Sequence, residues 1–523
     1  MEDLEESKES EEPEEPEEPE EKKELSDEFE DISIIKVKNI EYNVQYELGE
    51  GQFGYVYLVK EFNSNIKYAI KIFKQLNDNS YENEVNMYNK LSNKDNNNSY
   101  IIKMYKYGIC EIYKKKNYPP KKTNFILLEY ASKGSLFDYI SENNEIIFTI
   151  GNNNRGLREN YGKLLFSKIL KGIIECHNAG ISHRDLKLEN ILLDENFNPK
   201  IGDLGCATLT NKIFVFNDEY SHKYGTIGYL APELYKKEPY DRIRADIFSL
   251  GILLIMIVTG YSVFQTKKKL GFSDPNYYSL IKKNLWLKNY GEISDNFKNL
   301  AIRMISVNPK KRPYTDKIME DVWMKDINYK LEKDLYNEFI RRGNILKEFY
   351  SKKNVVNIYN SPDDIDINDN KSSSENIYNY FKSNFELQYI DENNLDLKNY
   401  MKINGCLNPK EFMNLIATKI KEQYNKCEIF PSNNYYKFVF VLNYEEEEIS
   451  EEEQQKLKEL GVNDIEWYQN LIKKENLKIR IILYESNNSS NTCYIIRFIK
   501  ISGEINDYYN NLNNIISIIK KNI

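Results

Sequence analysis

Apolar and polar positions along the chain change period from block to block, and the blocks divide it. Between residues 36 and 139 apolar residues alternate at period two in short stretches, Tyr55 to Val59, Lys67 to Phe73 and Asn124 to Glu129, with one helical stretch near Tyr81 to Leu91. This predicts a small, mostly β lobe. From Tyr161 to about Asp326 the helical period takes over, with Leu164, Leu165, Ile169, Leu170 and Ile173 on one face. A larger α lobe is predicted there. A helical extension is expected over 327–352, and the Asn-, Ser- and Asp-rich residues 353–400, with Ser372, Ser373 and Ser374, read as a largely disordered linker. Periodicity returns over 404–523: a helix at Pro409 to Tyr424, strands at Tyr435 to Leu442, Leu477 to Tyr484 and Thr492 to Ile501, and a helix at Ile505 to Lys520. This is a second compact α+β unit. Residues 1–35 are expected to be a disordered acidic tail, Glu-rich and punctuated by Pro13, Pro16 and Pro19, because such sequence cannot bury enough apolar area to offset its ordering entropy.

Composition narrows the class. With 523 residues, 41% apolar and 29% charged, the chain is that of a globular protein with several cores. A net charge of -9 argues against nucleic-acid partners, since no segment supplies the basic surplus that phosphates demand. The most apolar run, Ile247 to Val258, falls short of the ~20 residues a membrane helix needs, so no transmembrane segment is expected and the run reads as a buried helix. The start MEDLEESKES has neither the basic nor the apolar part of a secretory signal. Six scattered cysteines, Cys110, Cys176, Cys206, Cys406, Cys427 and Cys493, form no CxxC pair and suggest a reducing compartment. A cytoplasmic location is expected, with the nucleus as alternative.

Candidate chemistry begins at Gly49, Gly51 and Gly54 in LGEGQFGYV, a GxGxxG between two strand-like segments. Glycines there let backbone N–H groups approach phosphate oxygens, and the strand that follows disfavours a dinucleotide-binding turn. A plain hairpin fits the same residues. In the strand around Ala69-Ile70-Lys71, alternation turns Ala69 and Lys71 to one face, where a lysine is costly unless an anion meets it; Glu84 is the candidate partner and Glu82 the alternative. Further on come His183-Arg184-Asp185-Leu186-Lys187-Leu188-Glu189-Asn190, then Ile201-Gly202-Asp203-Leu204-Gly205, then Ala231-Pro232-Glu233.

In this order and spacing these residues resemble the eukaryotic protein kinase family over about residues 42–326. HRDLKLENILLD is similar to the calcium/calmodulin and AMP-activated group. The resemblance implies an α+β bilobal fold, with a β-rich first lobe and an α-rich second, and transfer of the γ-phosphoryl group of ATP with Mg²⁺. Asp185 would be the catalytic base and Lys187 the cation beside the transferring group. Asn190 and Asp203 would hold Mg²⁺, and Lys71 would hold the α- and β-phosphates while pairing with Glu84. The adenine pocket would be walled by Leu48, Val56, Ala69 and Leu192, with Leu128 as gatekeeper and the backbone of Glu129 and Ala131 as hinge.

Lys187 and Thr226 in GTIGYLAPE match the serine/threonine branch. Arg184 beside Asp185 implies an activation segment ordered by an upstream kinase, with Ser221 and Thr226 as candidate positions. Leu204 stands where the family usually has Phe. Glu189 suits substrates with arginine, but Ser135 stands where many such members carry Glu. Asp246 and the pair Glu233 with Arg312 read as structural, His177 as a packed histidine, Cys206 as a quiet thiol, and the acidic run Glu445 to Glu453 as a solvated loop. The string Tyr494 to Glu504 with the helix after it resembles the kinase-associated C-terminal domain, which implies autoinhibition or a regulatory subunit or anionic lipid as partner, beside protein substrates. No EF-hand loop is present. The competing readings are a nucleotide-binding pseudokinase scaffold, which would normally lose Lys71, Asp185, Asn190 or Asp203, and a small-molecule kinase, which would lack the peptide platform of Thr226 and Ala231-Pro232-Glu233.

Overall fold

The structure, a computed structural model, describes residues 32–51, 53–64, 66–76, 79–92, 99–114, 120–140, 156–210, 225–226, 228–236, 240–264, 277, 280, 293–353, 355–357, 388–390, 400–404, 409–424, 426–431, 437–443, 454–455, 476–486, 493–502 and 505–521. Residues 1–31 of the expected tail, Ser221, and the acidic run 445–453 lie outside them.

Six strands form the first lobe: β1 (Ile32–Val37), β2 (Ile40–Glu50), β3 (Gly54–Glu61), β4 (Lys67–Phe73), β5 (Met104–Lys114) and β6 (Lys121–Glu129). They close into an antiparallel barrel in the order β1-β2-β3-β4-β6-β5. The barrel corrects the boundary of the expected tail, because Ile32 to Ile35 are strand. Their apolar positions, Ile32 and Ile35 together with Val37, bury against Tyr42, Ile70, Ile72 and Phe125, which outweighs the charge of the preceding run. Helix α1 (Asn79–Ser92) lies on β5 and β6.

The second lobe is helical: α2 (Glu159–Asn178), α3 (Arg242–Thr259), α4 (Asp295–Met304) and the short α5 (Thr315–Met319). The expected apolar face of α2, Leu164, Leu165, Ile169, Leu170 and Ile173, is fully buried. Asp241 caps α3 by accepting from the Arg244 amide at 3.1 Å, and the helix ends at Gly260, whose φ of +75° an L side chain would resist. Ile247 to Val258 is buried within α3, as its composition predicted. Four short strands, β7 (Ile181–Ser182), β8 (Ile191–Leu193), β9 (Pro199–Ile201) and β10 (Thr208–Leu209), pair as β7 with β10 and β8 with β9. They carry the loops of Asp185 and Asp203 between the lobes.

Helix α6 (Glu332–Lys353) is the expected extension, and it is part of this lobe's core. Phe339, fully buried, stacks on Phe197 at 5.3 Å and meets the edge of Tyr139 at 5.4 Å. Arg342, equally buried, donates to the carbonyls of Tyr139 (3.0 Å) and Gly156 (2.5 Å) and pairs with Glu338 (2.8 Å).

Among the described residues, the second unit is one sheet of seven strands with two helices. Strands β11 (Val355–Asn357), β12 (Gln388–Ile390), β13 (Tyr400–Asn404), β14 (Cys427–Pro431), β15 (Lys437–Leu442), β16 (Leu477–Ser486) and β17 (Cys493–Ser502) run in the order β11-β13-β17-β16-β15-β14, and β12 pairs with β16 beyond the end of β15. Helices α7 (Pro409–Gln423) and α8 (Ile505–Lys521) cover one face through Met413, Ile416, Ile420, Leu512, Ile515 and Ile519. The linker expectation is therefore corrected at three places. Residues 355–357, 388–390 and 400–404 are strand, because the sheet supplies backbone partners that the sequence pattern does not show. Residues 358–387 and 391–399 lie outside the described residues.

Candidate active site

The cleft between the lobes is built by four backbone features. Strand β4 carries Lys71, whose cross-strand neighbour Val56 shares its face. Helix α1 brings Glu84 under it, so that Lys71 Nζ lies 2.7 Å from Glu84 Oε2 and 3.2 Å from Asp203 Oδ1. Glu84, not Glu82, is the partner. Burial alone would lower the Lys71 pKa, but the carboxylates of Asp203 and Glu84 overrule it and hold the ammonium charged, above its ordinary range. Asp203 sits at φ +56°, its carboxylate half exposed to the cleft, and the Lys71 ammonium holds its pKa down at about 2.

The catalytic loop is braced from behind. Asp246 on α3 accepts the amides of His183 (2.8 Å) and Arg184 (2.9 Å) and faces His177 Nε2 at 3.0 Å. His177 is thus a packed bracing residue, and His183 ties the loop forward through the Gly202 carbonyl at 3.0 Å. This lets Arg184 hold a φ of +69°, a strained conformation that points the loop into the cleft. Asp185 Oδ1 accepts from the Thr226 hydroxyl at 2.8 Å, and Asp185 Oδ2 lies 2.8 Å from Lys187 Nζ and 3.1 Å from Asn190 Nδ2. Lys187 also donates to Thr226 Oγ1 at 2.7 Å. Thr226 therefore binds both Asp185 and Lys187, a contact that the motif alone did not show.

Around this centre Ala69 pairs with Leu128 across β4 and β6, both almost wholly buried, while Leu192 on β8 packs against Gly202. Leu48 is exposed at the mouth. The Glu129 amide donates to the Lys103 carbonyl at 2.8 Å and so cannot also donate to a base. Ala131 is buried. Of the three loop glycines, only Gly54 is demanded by packing: a Cβ there would lie 2.1 Å from the Ile72 carbonyl oxygen, whereas one at Gly49 would meet nothing within 4 Å. Burial pushes the Cys206 thiol up to about 12, so it stays protonated and inert near neutrality. Glu233 and Arg312 form a two-pronged pair at 2.6 and 2.7 Å, with Arg312 fully buried.

One group of residues carried no signal in the sequence. Arg480, on β16 of the second unit, lies 3.1 Å from Glu47 and 3.5 Å from Glu50, at the base of the glycine-rich loop.

The family model of the protein kinase domain matches residues 42–324, more than half of the chain. Among similar proteins, CBL-interacting protein kinase 33 of Oryza sativa subsp. japonica is 31% identical over 301 residues, 56% of this chain and 59% of that protein. CBL-interacting protein kinase 31 of the same plant is 34% identical over 204 residues, 38% of this chain and 41% of that protein. CBL-interacting serine/threonine-protein kinase 12 of Arabidopsis thaliana is 26% identical over 279 residues, 53% and 51% respectively. The matched stretches thus span about half the length of these relatives. With its bilobal fold, its assembled Lys71, Asp185, Asn190 and Asp203 cleft, and that match, the chain belongs to the protein kinase family.

Proposed function

We propose that this chain is an ATP-dependent protein serine/threonine kinase that transfers the γ-phosphoryl group in line to Ser and Thr hydroxyls of protein substrates. The observation that carries this is the cleft's assembly: Lys71 sits on Glu84 and Asp203, and Asp185 is held by Lys187, Asn190 and Thr226. Asp185 is the group placed to accept the substrate hydroxyl's proton and to aim that oxygen. Lys187, within 3 Å of Asp185, sets a fixed cation where charge gathers on the transferring group. Lys71 would clamp the α- and β-phosphates under the loop of Gly49, Gly51 and Gly54. Leu48, Val56, Ala69, Leu128 and Leu192 supply apolar walls for adenine, with Glu129 and Ala131 at the hinge.

The residues fit a magnesium ion. The half-exposed carboxylate of Asp203 and the amide oxygen of nearly buried Asn190 are hard donors, and Mg²⁺ needs few protein ligands because it keeps water and substrate phosphates. When bound, the ion screens the phosphate charge. The Asn190 amide nitrogen is committed to Asp185, to its carbonyl at 2.8 Å and its carboxylate at 3.1 Å. That fixes the side chain's orientation.

The scaffold alternative loses ground because all four residues whose loss marks a pseudokinase are present, Lys71 bound to Asp203 and Asn190 to Asp185. The bond of Lys187 to Thr226 supports the serine/threonine branch. The second α+β unit is the part open to a regulatory protein. The relatives are named as CBL-interacting, and a protein partner suits the unit's mixed charge better than anionic lipid does. The test is transfer of labelled γ-phosphate from Mg-ATP to Ser/Thr peptides by the intact chain and by Asp185→Ala. Loss of about 10²-fold or more in the variant is expected. Equal residual incorporation in both proteins, with ATP bound, would return the scaffold reading.

A further inference from the structure

The second unit touches the first lobe at the loop that has to close over a nucleotide. Arg480 lies on the sheet face opposite α7 and α8, since its neighbours Ile479 and Ile481 point into the helix-covered core. Its guanidinium is nearly buried, and so are the carboxylates it meets, Glu47 at 3.1 Å and Glu50 at 3.5 Å. Register places these carboxylates precisely on the outer side of the loop hairpin: Glu47 pairs with Tyr57 and Glu50 with Tyr55, while Gly49 pairs with Val56, the neighbour of Lys71 on the nucleotide side. The second unit therefore grips the loop from behind.

The grip is electrostatic. Arg480 sets one cation between two buried carboxylates, Glu47 and Glu50, and Lys74 adds a second at Glu50, 2.8 Å away. Removing Arg480 takes a counter-ion from both carboxylates, which costs stability at the β2–β3 hairpin and loosens the loop it carries. In the gripped state the Lys71–Glu84–Asp203 arrangement is fully formed.

We infer that Arg480 is a positioning residue for the phosphate loop, through which the docked second unit pre-orders the loop and raises the affinity of the cleft for MgATP. The inference rests on the kinase reading and gives the second unit a supporting role in place of the inhibitory one. Pre-ordering acts because a loop already fixed has less freedom to lose when the ligand arrives.

The experiment uses the full chain and its Arg480→Ala, Arg480→Lys and Glu47→Gln variants. MgATP dissociation constants are measured by calorimetry, and KM for ATP, KM for peptide and kcat by phosphate transfer. Arg480→Ala should raise both the MgATP dissociation constant and KM for ATP about tenfold, equivalent to about 1.4 kcal/mol, with peptide KM unmoved. Arg480→Lys should recover part of the loss. Glu47→Gln should act in the same direction and, combined with Arg480→Ala, add little to it, as expected of two ends of one contact. If Arg480→Ala fails to fold, Glu47→Gln carries the test from the kinase side. MgATP affinity unchanged or increased in the folded variants overturns the inference. Absence of phosphate transfer by the unmodified chain overturns the kinase reading instead, and the dissociation constants still decide the role of Arg480.

Discussion

Replacing Phe339 by alanine tests whether α6 belongs to the kinase lobe or merely follows it. The ring is fully buried, parallel to Phe197 within 3° at 5.3 Å and perpendicular to Tyr139 at 5.4 Å. Truncating such a side chain removes its transfer free energy and leaves a cavity that flat aromatic neighbours cannot readily fill, a cost of about 3–5 kcal/mol. For a lobe of this size each kcal/mol lowers the midpoint by about 2–4 °C, so Phe339→Ala should lower melting by about 6–20 °C. The assay is thermal unfolding of the full chain followed by circular dichroism. Tyr336→Ala is the comparison, since Tyr336 is 40% exposed and touches Phe197 only edge-on at 5.5 Å; its cost should stay below about 1.5 kcal/mol. A Phe339→Ala midpoint within 2 °C of the unmodified protein would show that the aromatic stack is dispensable. A chain cut at residue 326, the boundary legible in the sequence, should show the same defect or worse, because it also strips Arg342 from the Tyr139 and Gly156 carbonyls.

Two further outcomes follow from the cleft. Gly54→Ala should cost about 1–3 kcal/mol in urea unfolding, because its Cβ would press on the Ile72 carbonyl, while Gly49→Ala should leave stability within about 1 kcal/mol and show its effect, if any, in nucleotide affinity. Asp203 has a pKa lowered to about 2 from 3.8, so its contribution to stability is complete above pH 4 and is lost as the pH falls toward 2; the difference in urea midpoint between the unmodified chain and Asp203→Asn should shrink from pH 5 to pH 3, and a gap that widens would contradict the pairing with Lys71.

What the sequence made legible was the part whose chemistry leaves few choices. The residues proposed as base, metal-site oxygens and phosphate lysine, Asp185, Asn190, Asp203 and Lys71, are types that this chemistry leaves few substitutes for, and Asp185, Asn190 and Asp203 follow one another at the spacing of short loops between fixed elements. Long periodic helices such as α2 and α3 were legible for a related reason, since each carries many repeats of its pattern. The strands β11, β12, β13 and β14 were not, because three to five residues hold only one or two periods. Strand β1 was hidden by the charge run before it, although Ile32, Ile35 and Val37 are the residues that close the barrel. Arg480 was beyond reach for another reason: its partner Glu47 lies 433 positions away, and nothing local in a strand distinguishes an arginine facing water from one facing a carboxylate.

The path from α6 into β11 bears on how the two units behave in time. Helix α6 is rooted in the kinase lobe by Phe339 and Arg342, and it ends at Lys353, one residue before β11 joins the other sheet at Val355. A tether of nearly fifty free residues would let the units diffuse apart over tens of ångströms, whereas a one-residue joint confines them to a small swing. If the Arg480 contact opens, the second unit stays within reach of the loop, at an effective concentration set by that joint and independent of how much protein the solution holds. Re-closing is then a fast first-order event, so any agent that keeps the contact open has to occupy the surface continuously.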